Sequence, residues 1–598
     1  MRDHFCGVLN AEHINQSIQL SGWVQYRRDH GGVVFVDLRD HTGFVQIVFR
    51  PEAVDVFKVA ESLRAEACIT INGLVAQRSP ETTNHNIPTG MVEIIVSSIQ
   101  LHNLSKPIPF SIDDHLPASE ETRLKNRFLD LRRPKMQQNM RLRAKVNALF
   151  RKHLESMQFT EIETPILTKP TPEGARDYLV PSRTQLGHCF ALPQSPQVLK
   201  QILMVSGFDR YYQIVRCFRD EDLRADRQPE FTQLDLEMAF VNQHDVMDTI
   251  EKLIHSLFKD LNIDIHAPIP RMSYHEAMDQ YGSDKPDLRN PLIINRVDDI
   301  FKASDFKVFK DPASLDQHRV SLLKVPQGAI KLSRKKIDEY TQLVSKYGAK
   351  GLAYIKINDV NDLESGLQSP LLKFLTKTEL NAIIKASEAS SGDLVFFGAG
   401  HDDVVCQSLG VLRNQIGEDL ELITPGWKPL WVVDWPMFEK TNDQQGEKIQ
   451  ALHHPFTAPD CDDVATFKQS PMSMKAKAYD LVLNGYEIGG GSIRNHHLDM
   501  QYAVMAVLGL DKKTTDDQFG HLMHALSYGA PPHGGFALGL DRFAMLLCDA
   551  DSIREVIAFP KTQNARCLLT EAPAKAHLEQ YLELGLNTIK TEENHGRS

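Results

Sequence analysis

Apolar and polar residues alternate along the first hundred residues, in short runs that turn-forming residues separate. Alternation with a period of two is typical of half-buried strands. Five runs fit it: residues 23–28, 33–39, 44–49, 67–75 and 91–99. In the second and third runs, one face carries the side chains of Val34, Val36, Leu38, Val45, Ile47 and Phe49. The pattern predicts a five-stranded barrel with that face inside, which leaves Phe35 and Gln46 facing outward.

A second alternating pattern, between residues 214 and 240, predicts a β-hairpin. Its first strand ends with Arg219 and Glu221 on a shared face, and a polar loop covers residues 222–229. The returning strand has an apolar face and a polar one: Leu234, Leu236, Met238 and Phe240 against Phe231, Gln233, Asp235 and Glu237. Arginine binds phosphate, an aromatic ring stacks on a base, and carboxylates bind a metal or an amine. The polar face therefore suits a nucleotide, unless it is the solvated side of an ordinary amphipathic hairpin.

Composition narrows the class of protein. The chain has 598 residues, 42% hydrophobic and 24% charged, with a formal net charge of -11. These values are typical of soluble globular proteins, and the length predicts several domains. A generally basic protein that coats RNA is excluded, so any RNA contact must use local patches. One candidate patch, or else a solvated helix face, is the basic run Arg123, Lys125, Arg127, Arg132, Arg133 and Lys135.

The spacing of the cysteines and the length of the apolar runs indicate in which cellular compartment the protein is expected. None of the eight cysteines has Cys-x-x-Cys spacing, so the sequence indicates neither a zinc site nor a disulfide framework. The chain starts without an apolar signal segment, and no apolar run approaches the length that spans a membrane. We therefore expect a cytoplasmic, reduced protein with no membrane contact.

Three ordered motifs resemble those of the class II aminoacyl-tRNA synthetases. Phe218, Arg219, Asp220 and Glu221, with the returning strand, are similar to motif 2 in the form found in bacterial aspartyl-tRNA synthetases. The helical pattern of Val146, Phe150, Leu154 and Met157, which leads to Pro165, resembles motif 1. Residues 534–542 resemble motif 3. Ala537 stands where the general pattern has Gly, which is usual in the aspartyl, asparaginyl and lysyl subgroup.

The resemblance implies a multi-domain α+β protein. An OB-fold β-barrel at 1–105 would bind the anticodon, and a hinge at 106–135 would follow. The catalytic domain, built on an antiparallel sheet, would occupy 136–289 and 426–561. An inserted α+β domain of the bacterial type would lie at 290–425, and a C-terminal extension at 562–598. Motif 1 would form a homodimer.

The residues that would select the amino acid lie in two segments, 194–200 and 486–494. A planar carboxylate is the group that the fork of Arg494 binds best, and Lys200 supplies a second positive charge. Neutral asparagine would leave both cations unpaired, at a cost of about several kcal/mol. The resemblance implies this set of L-aspartate contacts, with the first on a mobile loop: Glu173, Ser195, Gln197, Lys200, Asp235, His453, His454 and Arg494.

The resemblance also implies an ATP site with Mg²⁺ and without zinc. Arg219 would hold the α-phosphate and Arg542 the γ-phosphate, and with Glu221 they form the catalytic set. Asp480 and Glu487 would bind the metal, because hard carboxylate oxygens suit Mg²⁺; a structural salt-bridge network is the alternative for Asp480. The ATP contacts would be Arg219, Asp220, Glu221, Gln228, Phe231, Glu487, Gly539, Leu540, Asp541 and Arg542.

The implied nucleic-acid partner is tRNA(Asp), and tRNA(Asn) as well. On the barrel, Phe35 would stack on the middle anticodon base, Gln46 would read its edge and Glu93 would read the first position. Arg28 would neutralise phosphate. His30 and Glu81 resemble the non-discriminating type, which charges both tRNAs, although His30 is otherwise a plain turn residue. Arg224 and Arg227 would contact the acceptor end.

Three alternatives stay open at this point. Asparaginyl- and lysyl-tRNA synthetases share the barrel and the motifs, but Arg494 with Lys200 favours an acidic substrate. A non-catalytic RNA-binding paralogue would lose active-site charges, and none is missing from the sequence. A tRNA-independent enzyme that activates aspartate would lack the barrel.

Overall fold

The computed structural model describes residues 2–170, 174–443 and 446–586. Glu173 therefore lies outside the described residues. The chain forms two compact units: Met1–Ala144 with Leu223–Gln228 and Ala544–Lys575, and Lys145–Asp222 with Pro229–Phe543 and Ala576–Ser598. The domain boundaries expected from the sequence stay a prediction.

The strands and helices of the described residues are as follows. The strands are β1 (Ser17–His30), β2 (Val33–Arg39), β3 (Phe44–Phe49), β4 (Cys68–Gln77), β5 (Val92–Asn103), β6 (Thr160–Glu161), β7 (Tyr178–Pro181), β8 (Cys189–Leu192), β9 (Arg210–Phe218), β10 (Glu230–Ala239), β11 (Arg271–Ser273), β12 (Ile294–Arg296), β13 (His318–Val325), β14 (Ala353–Ile357), β15 (Leu367–Gln368), β16 (Leu394–His401), β17 (Pro429–Pro436), β18 (Phe438–Asp443), β19 (Gly446–Ala451), β20 (Lys475–Leu483), β21 (Tyr486–Ile493) and β22 (His533–Gly539). The α-helices are α1 (Val54–Ser62), α2 (Glu120–Lys125), α3 (Arg127–Asp130), α4 (Pro134–Ser156), α5 (Gln197–Val205), α6 (Gln243–Asp260), α7 (Tyr274–Tyr281), α8 (Asp298–Phe301), α9 (Lys307–Ser314), α10 (Gly328–Lys331), α11 (Arg334–Ser345), α12 (Lys377–Ser387), α13 (Asp402–Asp419), α14 (Val464–Gln469), α15 (Leu498–Val507), α16 (Lys512–Leu526), α17 (Leu540–Leu547) and α18 (Leu578–Glu583).

The first unit contains the five-stranded barrel. Its strands close in the order β1-β2-β3-β5-β4. Each predicted run lies on one of them, and the inward face is confirmed, because all six apolar side chains expected there are fully buried. Phe35 and Gln46 are half-buried on the outer face. Alternation alone predicts the inward face correctly, because the pleat of each strand points successive side chains to the inside and the outside of the barrel.

Two arginines of the basic run after the barrel, Arg123 and Arg127, bind other parts of the protein. At these two positions the run is neither an RNA patch nor a solvated helix face. Arg127 is buried and donates to the carbonyl oxygens of Arg554, Ile557 and Ala558. Arg123 forms ion pairs with Asp130 and Glu555. These arginines tie the segment to residues 544–575 within the first unit. The sequence could not indicate this, because the partners are more than 400 residues away.

The second unit is built on an eight-stranded sheet of order β11-β17-β20-β21-β22-β10-β9-β6. Its six central strands pair antiparallel, and β11 and β6 add parallel pairs at the two edges. The predicted hairpin is the β9–β10 pair, with Phe218 opposite Glu230. Leu234, Leu236 and Met238 are buried as expected. Phe240 was expected on the same apolar face and is not: it follows the end of β10, has a positive φ and is 72% exposed.

A separate five-stranded sheet, β12-β13-β16-β14-β15, lies within the region expected to be an insertion. Separate apolar clusters cover its two faces, one with α8, α9 and α12 and the other with α11 and α13. The sequence predicts a helix end, a glycine turn and a strand over residues 345–356, and this is confirmed by α11, Gly348 with φ 90° and β14. No helix among the described residues is long and apolar enough to cross a membrane.

Candidate active site and anticodon face

Four buried, charged side chains meet on the central sheet of the second unit. Lys200 from α5 contacts Asp235 on β10, with Nζ 2.6 Å from Oδ1, and lies 3.4 Å from Glu237 Oε2. Arg494, just after β21, binds Glu237 with two hydrogen bonds, 2.9 Å from Nε to Oε1 and 3.1 Å from Nη2 to Oε2. All four are buried, so the two positive charges and two carboxylates compensate each other away from water.

Glu237 is the functional residue that the sequence reasoning missed. It was placed on the polar face of its strand but given no role, although its position two residues after Asp235 was the available signal. Burial alone raises the pKa of Glu237, but Arg494 and Lys200 outweigh it and hold that pKa below its usual value. Glu237 therefore stays ionised and fixes the Arg494 guanidinium.

This pairing corrects one argument made from the sequence. Asparagine was expected to be rejected because it would leave Lys200 and Arg494 unpaired. In the free protein both cations already have carboxylate partners. The terminal nitrogen Nη1 of Arg494 instead contacts neutral groups, Ser492 Oγ at 2.6 Å and His454 Nε2. Selection of a substrate carboxylate would have to take place at this nitrogen.

Motif 3 has a glycine where Glu237 needs room. Gly535 lies opposite Glu237 in the β10–β22 pairing. A Cβ at Gly535 would lie 1.9 Å from Glu237 Oε2, which is far inside contact distance. The same holds at Gly490, where a Cβ would lie 2.3 Å from Asp480 Oδ1. Both glycines let a carboxylate lie over the neighbouring strand.

Three of the predicted aspartate contacts have a buried polar atom without a hydrogen-bond partner among the described residues. These atoms are Asp235 Oδ2, Gln197 Nε2 and His453 Nε2. A buried polar atom without a partner is costly, so such atoms mark where a polar ligand would bind. Burial raises the pKa of Asp235 to about 6, against the opposing effect of Lys200. Near neutral pH its carboxylate is ionised and suits a substrate ammonium.

The two histidines lie next to these charges. His454 Nε2 contacts Arg494 Nη1, and His453 Nδ1 lies 3.9 Å from Asp480 Oδ1. Burial lowers the pKa of His453 to about 4, and burial with the positive charge of Arg494 lowers the pKa of His454 well below its usual value. Both rings are therefore neutral near pH 7.

Ser195 and the loop after residue 173 adjoin this region. Ser195 is half-buried in the turn that precedes α5. The neighbouring Gln194 side chain donates to Ala175 O at 2.8 Å and to Asp177 Oδ1 at 2.6 Å. Gln194 therefore fixes residues 175–177 to the turn before α5.

The predicted metal ligands lie on adjacent strands. Asp480 is buried on β20 and Glu487 is half-buried on β21, where it pairs with Val482. Burial, together with the negative charges of Glu487 and Asp284, raises the pKa of Asp480 well above its usual value. A divalent cation would relieve this repulsion, so the residues fit Mg²⁺. No group of three or more His, Cys, Asp or Glu side chains in the described part of the chain could hold a metal; Mg²⁺ needs fewer, since it keeps water and phosphate ligands.

The nucleotide-binding candidates of motifs 2 and 3 lie on the strands of this sheet or in the segments that directly follow them. The Arg219 guanidinium lies over the Phe231 ring, 5.0 Å from its centroid. The Arg542 guanidinium donates to the carbonyl oxygen of Glu487. Asp541, in the first turn of α17 after Gly539 and Leu540, accepts a 2.7 Å hydrogen bond from the backbone of Thr232. The first hairpin strand was expected to end with Arg219 and Glu221, but β9 already ends at Phe218. Asp220, which is exposed, and Glu221, which is half-buried, lie in the loop that follows it.

Three predicted contacts belong to the first unit. Gln228 is buried, and its side-chain amide binds the backbone N–H and C=O of Lys561 at 2.7 and 2.9 Å. Arg224 is exposed and Arg227 half-buried in the same segment. Their roles toward ATP and the acceptor end stay predictions.

The outer face of the barrel carries a connected polar strip. Arg28 donates to Asp37 at 2.7 Å and to Gln46 at 3.4 Å, and Gln46 donates to Glu93 at 2.9 Å. His30 is exposed at the end of β1, with its ring centroid 6.1 Å from that of Phe35. Glu81 is exposed beyond the end of β4. The structure thus brings five of the six predicted anticodon residues onto adjoining strands, and Glu81 lies in the loop between β4 and β5.

Comparison with known proteins agrees with both regions. Residues 119–563 match the family model described as tRNA synthetases class II (D, K and N), and residues 18–101 match that of an OB-fold nucleic acid binding domain. A relative named Aspartate--tRNA(Asp/Asn) ligase, from Legionella pneumophila (strain Paris), is 53% identical over 592 residues, 99% of each chain. The relative of the same name from Legionella pneumophila subsp. pneumophila (strain Philadelphia 1) has the same identity and coverage.

Solved structures share the fold at low identity. Asparaginyl-tRNA synthetase from Pyrococcus horikoshii, complexed with asparaginyl-adenylate, aligns with a TM-score of 0.58 and 20% identity over 94% of this chain and 98% of that chain. Aspartyl tRNA synthetase from Entamoeba histolytica aligns with a TM-score of 0.55 and 20% identity over 92% and 89%. The motifs, the barrel and the family match over most of the length agree: the chain belongs to the class II aminoacyl-tRNA synthetases of the aspartyl, asparaginyl and lysyl group.

Proposed function

We propose that the chain activates L-aspartate with ATP and transfers it to the 3′ end of tRNA(Asp) and tRNA(Asn). The observation that carries the proposal is the buried set of Lys200, Asp235, Glu237 and Arg494, with an unpartnered carboxylate oxygen on Asp235 for an ammonium. The printed names of the full-length relatives support the same substrate and both tRNAs.

In this proposal, Arg494 Nη1 binds the side-chain carboxylate of the substrate. The carboxylate replaces Ser492 and His454 as the partner of this nitrogen. Asp235 and Gln197 receive the ammonium and orient the α-carboxylate. Glu237 touches no substrate atom and acts by holding Arg494. Glu173 and Ser195 complete the set.

The first reaction joins an α-carboxylate oxygen of aspartate to the α-phosphorus of ATP and breaks the bond from that phosphorus to the bridging oxygen, which leaves with pyrophosphate. Charge spreads over the phosphate oxygens, so positioning and electrostatics suffice and no protein nucleophile is needed. Arg219 holds the α-phosphate and Arg542 the γ-phosphate. Phe231 stacks on adenine, and the adenine amino group donates a hydrogen bond to Glu221. Asp480 and Glu487 hold Mg²⁺, which neutralises phosphate charge when bound.

In the second reaction, the 3′-hydroxyl of the terminal tRNA adenosine attacks the aspartyl carbonyl and AMP leaves. The barrel strip formed by Arg28, Gln46 and Glu93 suits single-stranded bases, because it combines a cation, an amide and the half-buried ring of Phe35. A homodimer through motif 1 completes the proposal.

Pyrophosphate exchange into ATP, measured with each amino acid in turn, tests the substrate. We expect exchange with L-aspartate alone. Exchange with asparagine or lysine instead would reject the proposal, and exchange with none would favour a non-catalytic RNA-binding role.

A pH profile tests the role of Asp235. Its carboxylate has a pKa raised to about 6 by burial, so it is ionised above that pH and protonated below it. We expect the KM for aspartate in the exchange reaction to rise as pH falls through about 6. Asp235→Asn should have a high KM at every pH, without this step. A flat KM between pH 7.5 and 5 in the unaltered protein would contradict the assignment.

Charging of tRNA(Asn) transcripts tests the relaxed specificity. We expect the protein to aspartylate both tRNAs, and His30→Leu to lower charging of tRNA(Asn) about 10- to 100-fold, because one base contact is worth roughly 1 to 3 kcal/mol. Charging of tRNA(Asp) should change little and serves as the control, and Glu81→Lys should act in the same direction. If tRNA(Asn) is not charged at enzyme levels that saturate charging of tRNA(Asp), the prediction that both tRNAs are aspartylated is wrong.

Sedimentation tests assembly. At micromolar concentration we expect twice the chain mass of 67.6 kDa. A stable and fully active monomer would contradict a dimer.

A further inference from the structure

The C-terminal helix α18 exposes a stripe of leucines. Leu578, Leu582 and Leu586 follow each other at intervals of four and are 67%, 62% and 37% exposed. Leu578 and Leu582, four residues apart, lie on the same face of the helix, and Leu586 follows shortly after the helix ends at Glu583. The helix end is well formed: Gly585 has φ 64°, its N–H binds Leu582 O, and the Leu586 N–H binds Tyr581 O, the two bonds of a Schellman motif. A helix with a defined end and an uncovered apolar face indicates an interface.

The stripe continues into other exposed apolar side chains of the second unit. A Cβ at Gly585 would lie 3.5 Å from Leu186 Cδ2, so the helix end contacts the tip of the β7–β8 hairpin. Leu186, Leu179 and Phe190 are exposed on that hairpin. Single exposed apolar residues are normal on protein surfaces, but neighbouring ones mark interaction sites.

The hairpin in turn joins the end of motif 1. Thr168 pairs with Ala191 on β8 through two backbone hydrogen bonds of 3.0 and 2.8 Å. Ile166 and Leu167, which directly follow Pro165, are exposed as well. The apolar surface thus runs from the segment at which the dimer is proposed, across the hairpin, to α18.

We propose that Leu578, Leu582 and Leu586 pack against a second copy of this chain and extend the two-fold interface that starts at motif 1. The inference rests on the proposed dimer. Continuity with the motif 1 segment favours a second copy of this chain as the partner. A two-fold interface uses the same patch on both chains, so the three leucines of each chain become buried. Helix α18 and Leu586 then act as a clamp that tightens the dimer.

Dilution of the full-length protein tests the clamp. We expect the triple variant Leu578→Ser, Leu582→Ser and Leu586→Ser to raise the dimer dissociation constant about 100-fold or more, since the apolar area is lost on both chains. Glu579→Ser with Glu583→Ser, on the same helix outside the stripe, should leave it unchanged. Aspartate-dependent exchange should persist at concentrations where the variant is dimeric, which shows that it folds.

The outcomes separate the two proposals. An unaltered protein that is monomeric at micromolar concentration rejects the dimer itself. A dimer whose dissociation constant is the same in the triple variant overturns the clamp and keeps the dimer.

Crosslinking gives a measurement that does not depend on how the triple variant folds. A photoreactive amino acid is placed at position 582 in an otherwise unaltered chain, and isotopically heavy and light proteins are mixed and re-equilibrated before illumination. We expect crosslinked peptides that combine heavy and light chains. Crosslinks within one chain only would assign the stripe to a contact inside the same chain and overturn the inference.

Discussion

Arg494→Leu is expected to lower kcat/KM for aspartate in pyrophosphate exchange by about 100- to 4,000-fold. The guanidinium is buried between Glu237 and the neutral groups Ser492 and His454, so the substrate carboxylate would lose its only positive partner at Nη1. Removing one partner of a buried charge pair costs about 3 to 5 kcal/mol, and every 1.4 kcal/mol is a factor of ten. The KM for ATP should change much less than the KM for aspartate.

Two controls make this result interpretable. Arg494→Lys keeps the charge, but a lysine has a single nitrogen and cannot bind Glu237 through two nitrogens and the substrate through a third. We therefore expect a loss of kcat/KM for aspartate that is smaller than in Arg494→Leu. Arg494→Leu also leaves Glu237 buried without its partner, so thermal unfolding must be measured, and ATP binding must persist in a folded protein. Aspartate-dependent exchange within tenfold of the unaltered protein would remove Arg494 from the aspartate site.

The features that the sequence predicted well are those set by neighbouring residues. The barrel strands, the β9–β10 hairpin and the apolar stripe of α4 all follow from period-two or helical spacing, which the chain carries locally. Phe240 broke the pattern because the strand ends one residue earlier, at Ala239, and periodicity says nothing about where a strand ends.

The features that the sequence could not predict depend on distant pairings. Glu237 and Arg494 are 257 residues apart, and only the arrangement of β10, β22 and β21 brings them together. The period-two pattern of a strand shows on which face a carboxylate lies, but not with which cation it will form an ion pair. The burial of Arg127 against residues 554–558 has the same cause. The roles of Arg219, Asp480 and Arg542 are implied by the resemblance, and the structure adds their contacts.

Asp480→Asn is expected to raise the Mg²⁺ concentration for half-maximal exchange by at least about 10- to 100-fold. Asp480 is buried, and its carboxylate faces the negative charges of Glu487 and Asp284. The amide keeps the shape and one oxygen but removes a full negative charge from the cluster, and loss of even an outer partner of a metal ligand typically costs this much affinity. At saturating Mg²⁺ the rate should recover only in part, because charge on the phosphates is then less well neutralised.

The matched control is Asp284→Asn, in the same acidic neighbourhood but outside the proposed ligand pair. It should shift the Mg²⁺ requirement less than Asp480→Asn, because it acts on Asp480 only through its charge. Calorimetric binding of ATP across a Mg²⁺ series gives a second readout that does not depend on turnover. Equal half-saturating Mg²⁺ concentrations in Asp480→Asn and the unaltered protein, in both measurements, would favour the salt-bridge alternative for Asp480. A larger shift in Asp480→Asn than in Asp284→Asn would assign the ion to the strand pair β20–β21.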